Sequence, residues 1–328
     1  MTSFWNDLPQ PFFVLAPMEA VTDVVFRHVV KRASAPDVFF TEFANATGWV
    51  HAGDRAIAGR LVRTDDEYPL VAQIWGGEPG DMEQFAQHCA RLGFAGIDIN
   101  MGCPAKSAIK SGGAALIRNP DVAVAAIAAA KTAGLPVSVK TRLGYSTVDE
   151  WHAWLTTLLQ QNIVNLTIHL RTKKEMSKVA AHYELIDDIV ALRDAIAPQT
   201  LLTINGDIRD RAHGMALVAA HPGVNGVMIG RGVFADPFCF APHADDTVQS
   251  AGSLVQRNFT LLRYHLDLFD RWQPRLGRPY ETLKRFYKIY IRDFDGAKEL
   301  RDQLMHTTST DEARWIIHQW HEAMSASE

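Results

Sequence analysis

A cysteine on a predicted tight turn is the strongest chemical signal in the sequence. Cys103 stands between Gly102 and Pro104, directly after the apolar segment 96–100. Glycine tolerates positive φ and proline fixes its own φ, so these neighbours favour a turn that presents the thiol to solvent or to a ligand. A thiol held in this way can donate a proton or attack as a nucleophile. Taken alone, Cys103 would more often be a loop cysteine without a function, so its meaning depends on the rest of the chain.

Polar side chains also follow most of the other apolar segments, where those segments end. In order, the residues are Pro17 with Met18, Glu42, Gln73, Asn100 with Cys103, Lys140 with Arg142, His169 with Arg171, Asn205-Gly206-Asp207 and Gly230-Arg231-Gly232. A single lysine or histidine at a strand end is usually solvated or structural. Their coincidence at the same end of successive segments indicates a functional site, because barrel enzymes place their chemistry at the carboxyl ends of the strands.

The elements that carry these residues alternate between strands and helices. Short apolar runs cover 12–16, 38–42, 70–74, 96–100, 137–140, 165–169, 201–205 and 227–230, with the character of strands that are buried on both faces. Helical periodicity lies between them, as at 81–92, 121–132, 148–160 and 181–196. Eight such units predict an α/β protein with a (β/α)₈ TIM barrel. An open doubly wound sheet is the alternative, although no GxGxxG motif opens its first helix.

A second pattern begins after Pro242. Helical periodicity covers 250–270, 281–292, 296–305 and 310–323, and no apolar run of strand character remains. Ser309 is suited to cap the last helix, with Glu312 completing a capping box. We therefore predict a catalytic barrel over residues 1–242 and a small helical bundle over residues 243–328.

Composition and charge narrow the class of protein. The chain has 328 residues, with 33 Lys and Arg against 37 Asp and Glu and a net charge of −4, so any contact with nucleic acid must come from a local basic patch. The three cysteines are Cys89, Cys103 and Cys239, and their spacing suggests neither a metal site nor a disulfide framework. The N-terminus lacks the features of a signal peptide, and no apolar run reaches membrane-spanning length. We expect a cytoplasmic monomer without metal and without a membrane anchor.

The strand-end residues suggest a bound flavin. The loops at Gly206 and Gly230 can direct backbone N–H groups at a phosphate, with Arg231 adding charge, although both could be plain turns. The Gln73 amide suits a uracil-like edge, and the Lys140 ammonium can stabilise negative charge near a reduced flavin. Together these features predict noncovalent FMN, held by Pro17, Met18, Gln73, Lys140, His169, Asn205, Gly206, Asp207, Gly230 and Arg231.

The order of these motifs resembles that of the tRNA-dihydrouridine synthases, over residues 12 to about 305. The matching motifs are Ala16-Pro17-Met18 with Val21-Thr22-Asp23, Val71-Ala72-Gln73, Asn100-Met101-Gly102-Cys103-Pro104, Val139-Lys140-Thr141-Arg142-Leu143-Gly144, His169-Leu170-Arg171-Thr172, Asn205-Gly206-Asp207 and Gly230-Arg231-Gly232. The Asn-x-Gly-Cys-Pro motif is the most specific of them. Two departures stand out: Ala20 replaces the glycine usual before Val-Thr-Asp, and Leu170 replaces the glycine usual after the histidine.

The resemblance implies a reaction. NADPH would reduce FMN, the flavin would deliver a hydride to C6 of a uracil in tRNA, and the Cys103 thiol would protonate C5. Asn100 and Arg171 would hydrogen-bond the base edge, and Lys106 would contact the RNA backbone. The base must leave its stack to reach a barrel mouth.

A basic stretch in the helical tail fits an RNA partner. Between residues 271 and 301, basic side chains outnumber acidic ones and aromatic residues lie among them. We predict that tRNA phosphates contact Arg271, Arg275, Arg278, Lys284, Arg285 and Lys288, and that the aromatics stack on bases. The alternative is a solvated helix face whose aromatics pack in the bundle core.

Three other functions remain open on sequence grounds. An FMN barrel could act on a free pyrimidine or another small metabolite, although such a substrate needs no basic second domain. Lys140 could form the Schiff base of an aldolase, which would leave Cys103 and Gln73 without roles. The chain could also be an RNA-binding barrel without catalytic activity. The absorbance bands of a bound flavin would exclude the last two.

Overall fold

A computed structural model describes residues 3–242 and 253–325 of the chain. It divides into two compact units. The first unit contains Met1–Val24 and Pro36–Arg231, and the second contains Val25–Ala35 and Gly232–Glu328. The predicted boundary between residues 242 and 243 adjoins a segment outside the described residues and stays a prediction.

Parallel strands form the centre of the first unit. Among the described residues they are β1 (Phe12–Leu15), β2 (Phe39–Phe40), β3 (Ala44–Asn45), β4 (Leu70–Trp75), β5 (Gly96–Met101), β6 (Val137–Arg142), β7 (Asn165–His169), β8 (Leu201–Asn205) and β9 (Gly226–Ile229). All except the short β3 lie side by side in the order β1-β9-β8-β7-β6-β5-β4-β2. A parallel bridge between Val14 and Val38 brings the two ends of this sheet together. The predicted eight-stranded barrel is confirmed.

Helices alternate with the strands as the periodicity predicts. Those between β1 and the end of the barrel are α1 (Val24–Ser34), α2 (Ala46–Ala52), α3 (Asp54–Ile57), α4 (Pro79–Arg91), α5 (Pro120–Lys131), α6 (Trp151–Leu159), α7 (Ile186–Ile196) and α8 (Arg211–Ala220). Pro79 and Pro120 open α4 and α5, where the first N–H of a helix has no intrahelical partner in any case. Among the described residues, no single helix has the length and apolar character to cross a membrane. One pair of consecutive helical segments has that length and apolar character only when the two are taken together, and a bend of 107° separates them: Ala108–Arg118 and Pro120–Lys131.

The interior of the barrel changes character along the strands. Near the amino ends of the strands, Trp5 is 1% exposed and packs with an apolar cluster of Phe12, Val14, Ala16, Val38, Phe40, Val71 and Met228. Side chains of a strand alternate between its two faces, so Gln73 lies on the same face as Val71, one pleat nearer the carboxyl end. The apolar half therefore supports the barrel, and polar side chains occupy the end where the site is expected.

Helices form the second unit, together with most of α1. They are α9 (Gly232–Ala235), α10 (Leu254–Leu276), α11 (Glu281–Lys284), α12 (Tyr287–Tyr290), α13 (Ala297–His306) and α14 (Thr310–Ser325). The predicted helix at 281–292 is divided into α11 and α12. The Ser309 hydroxyl caps α14 by accepting the Glu312 N–H at 3.2 Å, while the Glu312 carboxylate accepts from Thr308 and not from Ser309.

Candidate active site

Hydrogen bonds join polar side chains from three neighbouring strands. Asp98 on β5 lies opposite Gln73 on β4 and Ser138 on β6. Its carboxylate accepts from Gln73 Nε2 at 2.7 Å and from Ser138 Oγ at 2.6 Å. Burial raises the pKa of Asp98 to about 6, although both hydrogen bonds and the charge of Lys140 act in the opposite direction. The carboxylate is therefore largely ionised at neutral pH.

The Cys103 turn is attached to this group of side chains through Asn100. Asn100 Nδ2 donates to Gln73 Oε1 at 3.1 Å, and Asn100 Oδ1 accepts the N–H groups of Gly102 and Cys103 at 3.1 and 2.9 Å. The carbonyl of Cys103 accepts from the Ala114 N–H at 3.0 Å. Both sides of the turn are therefore held by hydrogen bonds.

The Cys103 thiol is partly buried and keeps its proton at neutral pH. Burial raises its pKa, the negative charge of Glu19 adds to this, and the Ala105 N–H with Arg142 and Lys140 opposes it. A thiol in this state can donate a proton and is a poor nucleophile. Cys89 and Cys239 are both buried, with exposed fractions of 0% and 3%, and burial raises the pKa of Cys89 to about 12.

Lys140 and Asn205 meet across the barrel interior. Lys140 Nζ on β6 donates to Asn205 Oδ1 on β8 at 3.3 Å, although β7 lies between these strands. Asn205 Nδ2 donates to the Met228 carbonyl at 2.8 Å, which orients its amide. Burial and the nearby Arg142 lower the pKa of Lys140 to about 8, so the ammonium is still mostly protonated at pH 7.

A line of charged groups follows β7 and β8. Arg171 is 1% exposed and donates from Nη1 to His169 Nε2 at 3.3 Å and from Nε to the Val179 carbonyl at 2.7 Å. Its Nη2 contacts Asp207, which also accepts from Arg231 at 3.0 Å. Burial, together with the surrounding arginines and Lys140, lowers the pKa of His169 far below its usual value, so its ring is neutral.

The loop after β8 begins with two residues of positive φ. Gly206 has φ of +130° and Asp207 has φ of +52°, so two successive residues leave the extended conformation of the strand. Within residues 3–242 and 253–325, no protein acceptor is present for the N–H groups of Gly206 and Asp207. The two arginines neutralise the Asp207 carboxylate, and Met18 lies close to Gly230 on the neighbouring loop. N–H groups, arginine, lysine and neutral amides together suit the phosphate and polar ring of a flavin nucleotide.

Comparison with known proteins identifies the family of this chain. The family model for dihydrouridine synthase matches residues 14–326. The chain is 55% identical to probable tRNA-dihydrouridine synthase 2 of Bacillus subtilis, over 96% of this chain and 95% of that protein. It is 52% identical to a probable tRNA-dihydrouridine synthase of Staphylococcus aureus, over 98% and 97%. The chain belongs to the dihydrouridine synthase family. Members of this family are flavin-dependent oxidoreductases that use a nicotinamide reductant, and membership assigns the same class of activity to this chain.

A solved structure of a morphinone reductase mutant in complex with tetrahydroNAD is also similar to the chain. The TM-score is 0.47 and the identity 14%, over 70% of this chain and 85% of that chain.

Among the described residues, no group of three or more His, Cys, Asp or Glu side chains is placed to hold a metal ion.

The residues predicted to contact the uracil base and the tRNA backbone lie in different environments. Lys106 is exposed in the loop after β5. Asn100 and Arg171 are buried, and their polar atoms bond to the Cys103 turn, Gln73, His169 and Asp207. Contact of Asn100 and Arg171 with a base stays a prediction, and their visible contacts orient other members of the site.

The six basic residues predicted to contact tRNA lie either in a groove or at the end of α10 and just beyond it. Three of the six line the groove, which has a volume of about 680 Å³ and is formed by Lys284, Arg285, Tyr287, Lys288, Lys298, Glu299, Arg301, Asp302 and Met305. We call it the basic groove. Lys284 is only 9% exposed and pairs with Glu281 at 2.9 Å. Arg271 and Arg275 are exposed on α10 beside the Trp272 ring, and Arg278 is half-buried.

The aromatic residues of this region do not match the stacking role predicted for them. Phe286, Tyr287 and Tyr290 are at most 7% exposed, and Phe286 packs on Phe26 with ring centroids 5.0 Å apart. Their rings form the core of the second unit because helices this short gain most of their stability from packing. The prediction that these three rings stack on bases is wrong.

The structure also explains the two departures from the family motifs. Ala20 has φ of +56°, the left-handed conformation that glycine adopts without strain. The alanine therefore keeps the backbone shape of the usual glycine at some cost in stability. Leu170 is 0% exposed, so its side chain packs in the barrel wall.

Two polar residues that touch the site were given no role in it from the sequence. Asp98 is the central acceptor described above, and a charged residue between Ile97 and Ile99 was the available signal for it. Arg142, which the sequence already places at a strand end, is 9% exposed and donates to the carbonyls of Gly102 at 2.8 Å, Thr172 at 3.1 Å and Met176 at 3.0 Å. These bonds connect the Cys103 turn to the loop after β7.

Proposed function

We propose that this protein is a tRNA-dihydrouridine synthase that reduces the C5–C6 double bond of a specific uridine in tRNA. In this proposal it uses noncovalent FMN and NADPH, and it acts as a monomer in the cytoplasm. Family membership supports the reaction class. The observation that carries the mechanism is the Cys103 turn, which Asn100 holds beside Gln73 in the strand-end site.

The strand-end residues would hold FMN at its two ends. The N–H groups of Gly206, Asp207 and Gly230, with Arg231, suit the phosphate. Gln73, Lys140, His169 and Asn205 suit the ring, with Pro17 and Met18 beside it. When bound, FMN supplies the hydride for C6 of the uracil. Lys140 contributes a positive charge that Asn205 keeps in place, and the neutral His169 adds a hydrogen-bonding group without further charge.

Cys103 would act as the general acid. Hydride addition at C6 leaves negative charge at C5, and that carbon needs a positioned proton donor. The raised pKa of the thiol means that the proton is present at neutral pH before the reaction begins. The thiolate left afterwards faces the charges of Arg142 and Lys140, which lower its pKa and so stabilise it.

The second unit would contribute affinity for tRNA. Arg285 and Lys288 are exposed in the basic groove, and Arg271 and Arg275 are exposed on α10. Exposed cations of this kind neutralise backbone phosphates and release counterions. Lys284 and Arg278 complete the proposed contact set, and Lys106 would contact RNA from the barrel.

A single-turnover experiment tests this function. Enzyme reduced with NADPH is mixed with tRNA that lacks dihydrouridine, and flavin oxidation and dihydrouridine are both measured. Cys103→Ala should keep FMN, its reduction by NADPH and tRNA binding, but lose about 10²- to 10⁴-fold in product formation because the general acid is absent. Cys103→Ser should recover little, since a hydroxyl is a much weaker acid.

Cys89→Ala is the matched control, because that cysteine is buried on α4 away from the strand ends, and it should stay active. Near wild-type product formation by Cys103→Ala would remove Cys103 from the mechanism. Free uridine reduced as efficiently as tRNA would support the small-substrate alternative, and a colourless purified protein would support an RNA-binding barrel without catalysis.

A further inference from the structure

The proposed reaction gives no role to Asp98, a buried carboxylate of the site. Asp98 is 0% exposed in the middle of β5, and its neighbours Ile97 and Ile99 are equally buried. Burying an ionised carboxylate costs free energy unless hydrogen bonds and nearby charges compensate for it. Packing alone therefore does not account for an aspartate at this position.

Both carboxylate oxygens of Asp98 are engaged by the adjacent strands. Oδ1 accepts from Ser138 Oγ at 2.6 Å, and Oδ2 accepts from Gln73 Nε2 at 2.7 Å. Lys140, two residues beyond Ser138, provides the nearby positive charge. An ionised carboxylate can only accept hydrogen bonds, so it dictates which atom of the Gln73 amide turns toward it.

That choice sets the direction of the whole chain of hydrogen bonds. With Nε2 turned to Asp98, Gln73 presents Oε1 to Asn100, whose Nδ2 donates at 3.1 Å. Asn100 then presents Oδ1 to the Cys103 N–H, at 2.9 Å. A backbone N–H can only donate, so an obligate acceptor stands at one end of the chain and an obligate donor at the other. Both amides therefore have a single satisfactory orientation.

We propose that Asp98 is a positioning residue that sets the direction of the Gln73–Asn100–Cys103 hydrogen-bond chain. In doing so it fixes the orientation of the Gln73 amide and the turn that presents the thiol. This inference rests on the proposed function, in which Gln73 contacts FMN and Cys103 donates the proton. It adds a residue that acts on both through hydrogen bonds without touching the substrate.

The variant Asp98→Asn tests this role with almost no change in volume. An amide both donates and accepts, so the obligate acceptor is lost and either orientation of Gln73 becomes possible. The first readout needs no flavin: the alkylation rate of Cys103 by iodoacetamide in the apoprotein, followed by peptide mass spectrometry. We expect Cys103 to be alkylated about fivefold faster than in wild type. The Kd of FMN should rise about tenfold, as for loss of one hydrogen bond to a charged group. Cys89 and Cys239 should stay protected.

Thr203→Val is the matched control. Like Asp98, Thr203 is 0% exposed in the barrel interior and is hydrogen-bonded to a side chain, here as the donor to Asn165 Oδ1 at 2.7 Å. It has no hydrogen bond to Gln73, Asn100 or the Cys103 turn. Its loss should lower stability while Cys103 alkylation and the Kd of FMN stay within about twofold of wild type. If Asp98→Asn behaves like Thr203→Val in both readouts, the positioning role is refuted.

Three further outcomes separate a failure of this inference from a folding defect and from a failure of the proposed function. If Asp98→Asn does not fold, Gln73→Leu removes the next link, and an unchanged rate of Cys103 alkylation in that variant would overturn the inference. If Cys103→Ala forms product normally, the proposed mechanism fails although the alkylation result stands. If Cys103→Ala is inactive and Asp98→Asn is indistinguishable from wild type, only the role of Asp98 is lost.

Discussion

The strand-end site and the basic groove both collect charged residues, but they hold them in opposite ways. In the barrel, Asp98 and Arg171 are buried, Lys140 is half-buried, and all three are hydrogen-bonded to named partners. In the groove, Arg285 and Lys288 are exposed on short helices, and only Lys284 is largely buried. The first arrangement fixes each group in one orientation, whereas the second exposes long charged side chains to solvent.

This difference determines what each region is suited to do. A buried and oriented group acts strongly on a reacting atom, because the surrounding dielectric is low and no reorganisation is needed at the moment of reaction. An exposed lysine or arginine is screened by salt but adds affinity for a polyanion without demanding one geometry. Substitutions in the barrel should therefore have large effects, and substitutions in the groove small and salt-dependent ones.

The largest effect in this comparison is expected at Lys140. Lys140→Met removes a buried cation and leaves Asn205 Oδ1 and the Asp98 charge without it. Truncating one member of a buried charged pair costs about 2–5 kcal/mol, so the Kd of FMN should rise at least about 30-fold in fluorescence titrations of the apoprotein. Arg231→Ala should weaken binding less, about fivefold, because that side chain is 63% exposed. Lys110→Met, on an exposed loop, is the control. Wild-type affinity in the Lys140 variant would show that the flavin lies elsewhere.

A buried histidine should make the second unit less stable in acid. Burial lowers the pKa of His265 in the second unit to about 3. The unfolded chain binds this proton near pH 6.5 and the folded chain does not, so stability falls as the pH drops from about 6.5 toward 3, by roughly 1.4 kcal/mol per pH unit. His265→Gln should flatten this slope in urea denaturation measured between pH 7 and pH 5.

In the barrel, His182 should have the opposite sign. Burial lowers its pKa, but hydrogen bonds to Glu175 and Glu184 outweigh this and raise it. The stabilisation from His182 is therefore complete below its ordinary pKa and is lost as the pH rises through the pKa of the folded state.

For the second unit, equal slopes of stability against pH in wild type and His265→Gln would contradict the assignment of a neutral buried histidine.

Charge reversal in the groove should produce a smaller and salt-sensitive effect. Arg285→Glu combined with Lys288→Glu should lower tRNA affinity about tenfold at low salt and reduce the slope of log K against log salt by about 1.5, as for two lost phosphate contacts. Reduction of FMN by NADPH without tRNA should be unchanged. Arg55→Glu combined with Arg91→Glu, both exposed on the barrel, makes the same change in net charge as a control. If both double variants bind tRNA equally, the groove is an ordinary solvated face.

The smallest effect is expected from relieving backbone strain at Ala20. Ala20→Gly should raise the free energy of unfolding by about 0.5–1 kcal/mol, because glycine adopts φ of +56° without steric cost. Ala133→Gly is the matched control, since Ala133 is not among the residues with positive φ and glycine there only adds entropy to the unfolded chain. Destabilisation by both substitutions would show that Ala20 is not strained.

Most of the barrel could be predicted because its signals are local. Each strand is a short apolar run, and the polar residues selected from the sequence lie at the ends of these runs. Finding the apolar runs therefore located both the strands and those polar residues. The second unit was predicted less well. The expected helix at 281–292 divides after Lys284, and its aromatic residues face the core, because packing against α1 and α10 decides which face of a short helix is buried.

The contacts among the site residues depend on distances that local patterns do not contain. Gln73 could have bonded to solvent or to several neighbours, and only the register of β4, β5 and β6 places it against Asp98 and Asn100. Arg171 was predicted to contact a base, and the structure adds its contacts with Val179 in the loop after β7 and with Asp207 in the loop after β8. Such contacts decide whether a polar group is free to bind a ligand or already orients another side chain.

The sequence by itself determined that this chain forms an eight-stranded barrel with polar strand ends and a thiol on a turn. These properties follow from the alternation of apolar runs and helical periodicity, and from the backbone preferences of glycine and proline, all of which act over a few residues. Only the tertiary structure decided that Lys140 meets Asn205 across β7, 65 positions away, and that Asp98 anchors the chain leading to Cys103. The reason is physical: a hydrogen bond requires two atoms within about 3 Å, and closure of the barrel alone brings residues so distant in the chain that close.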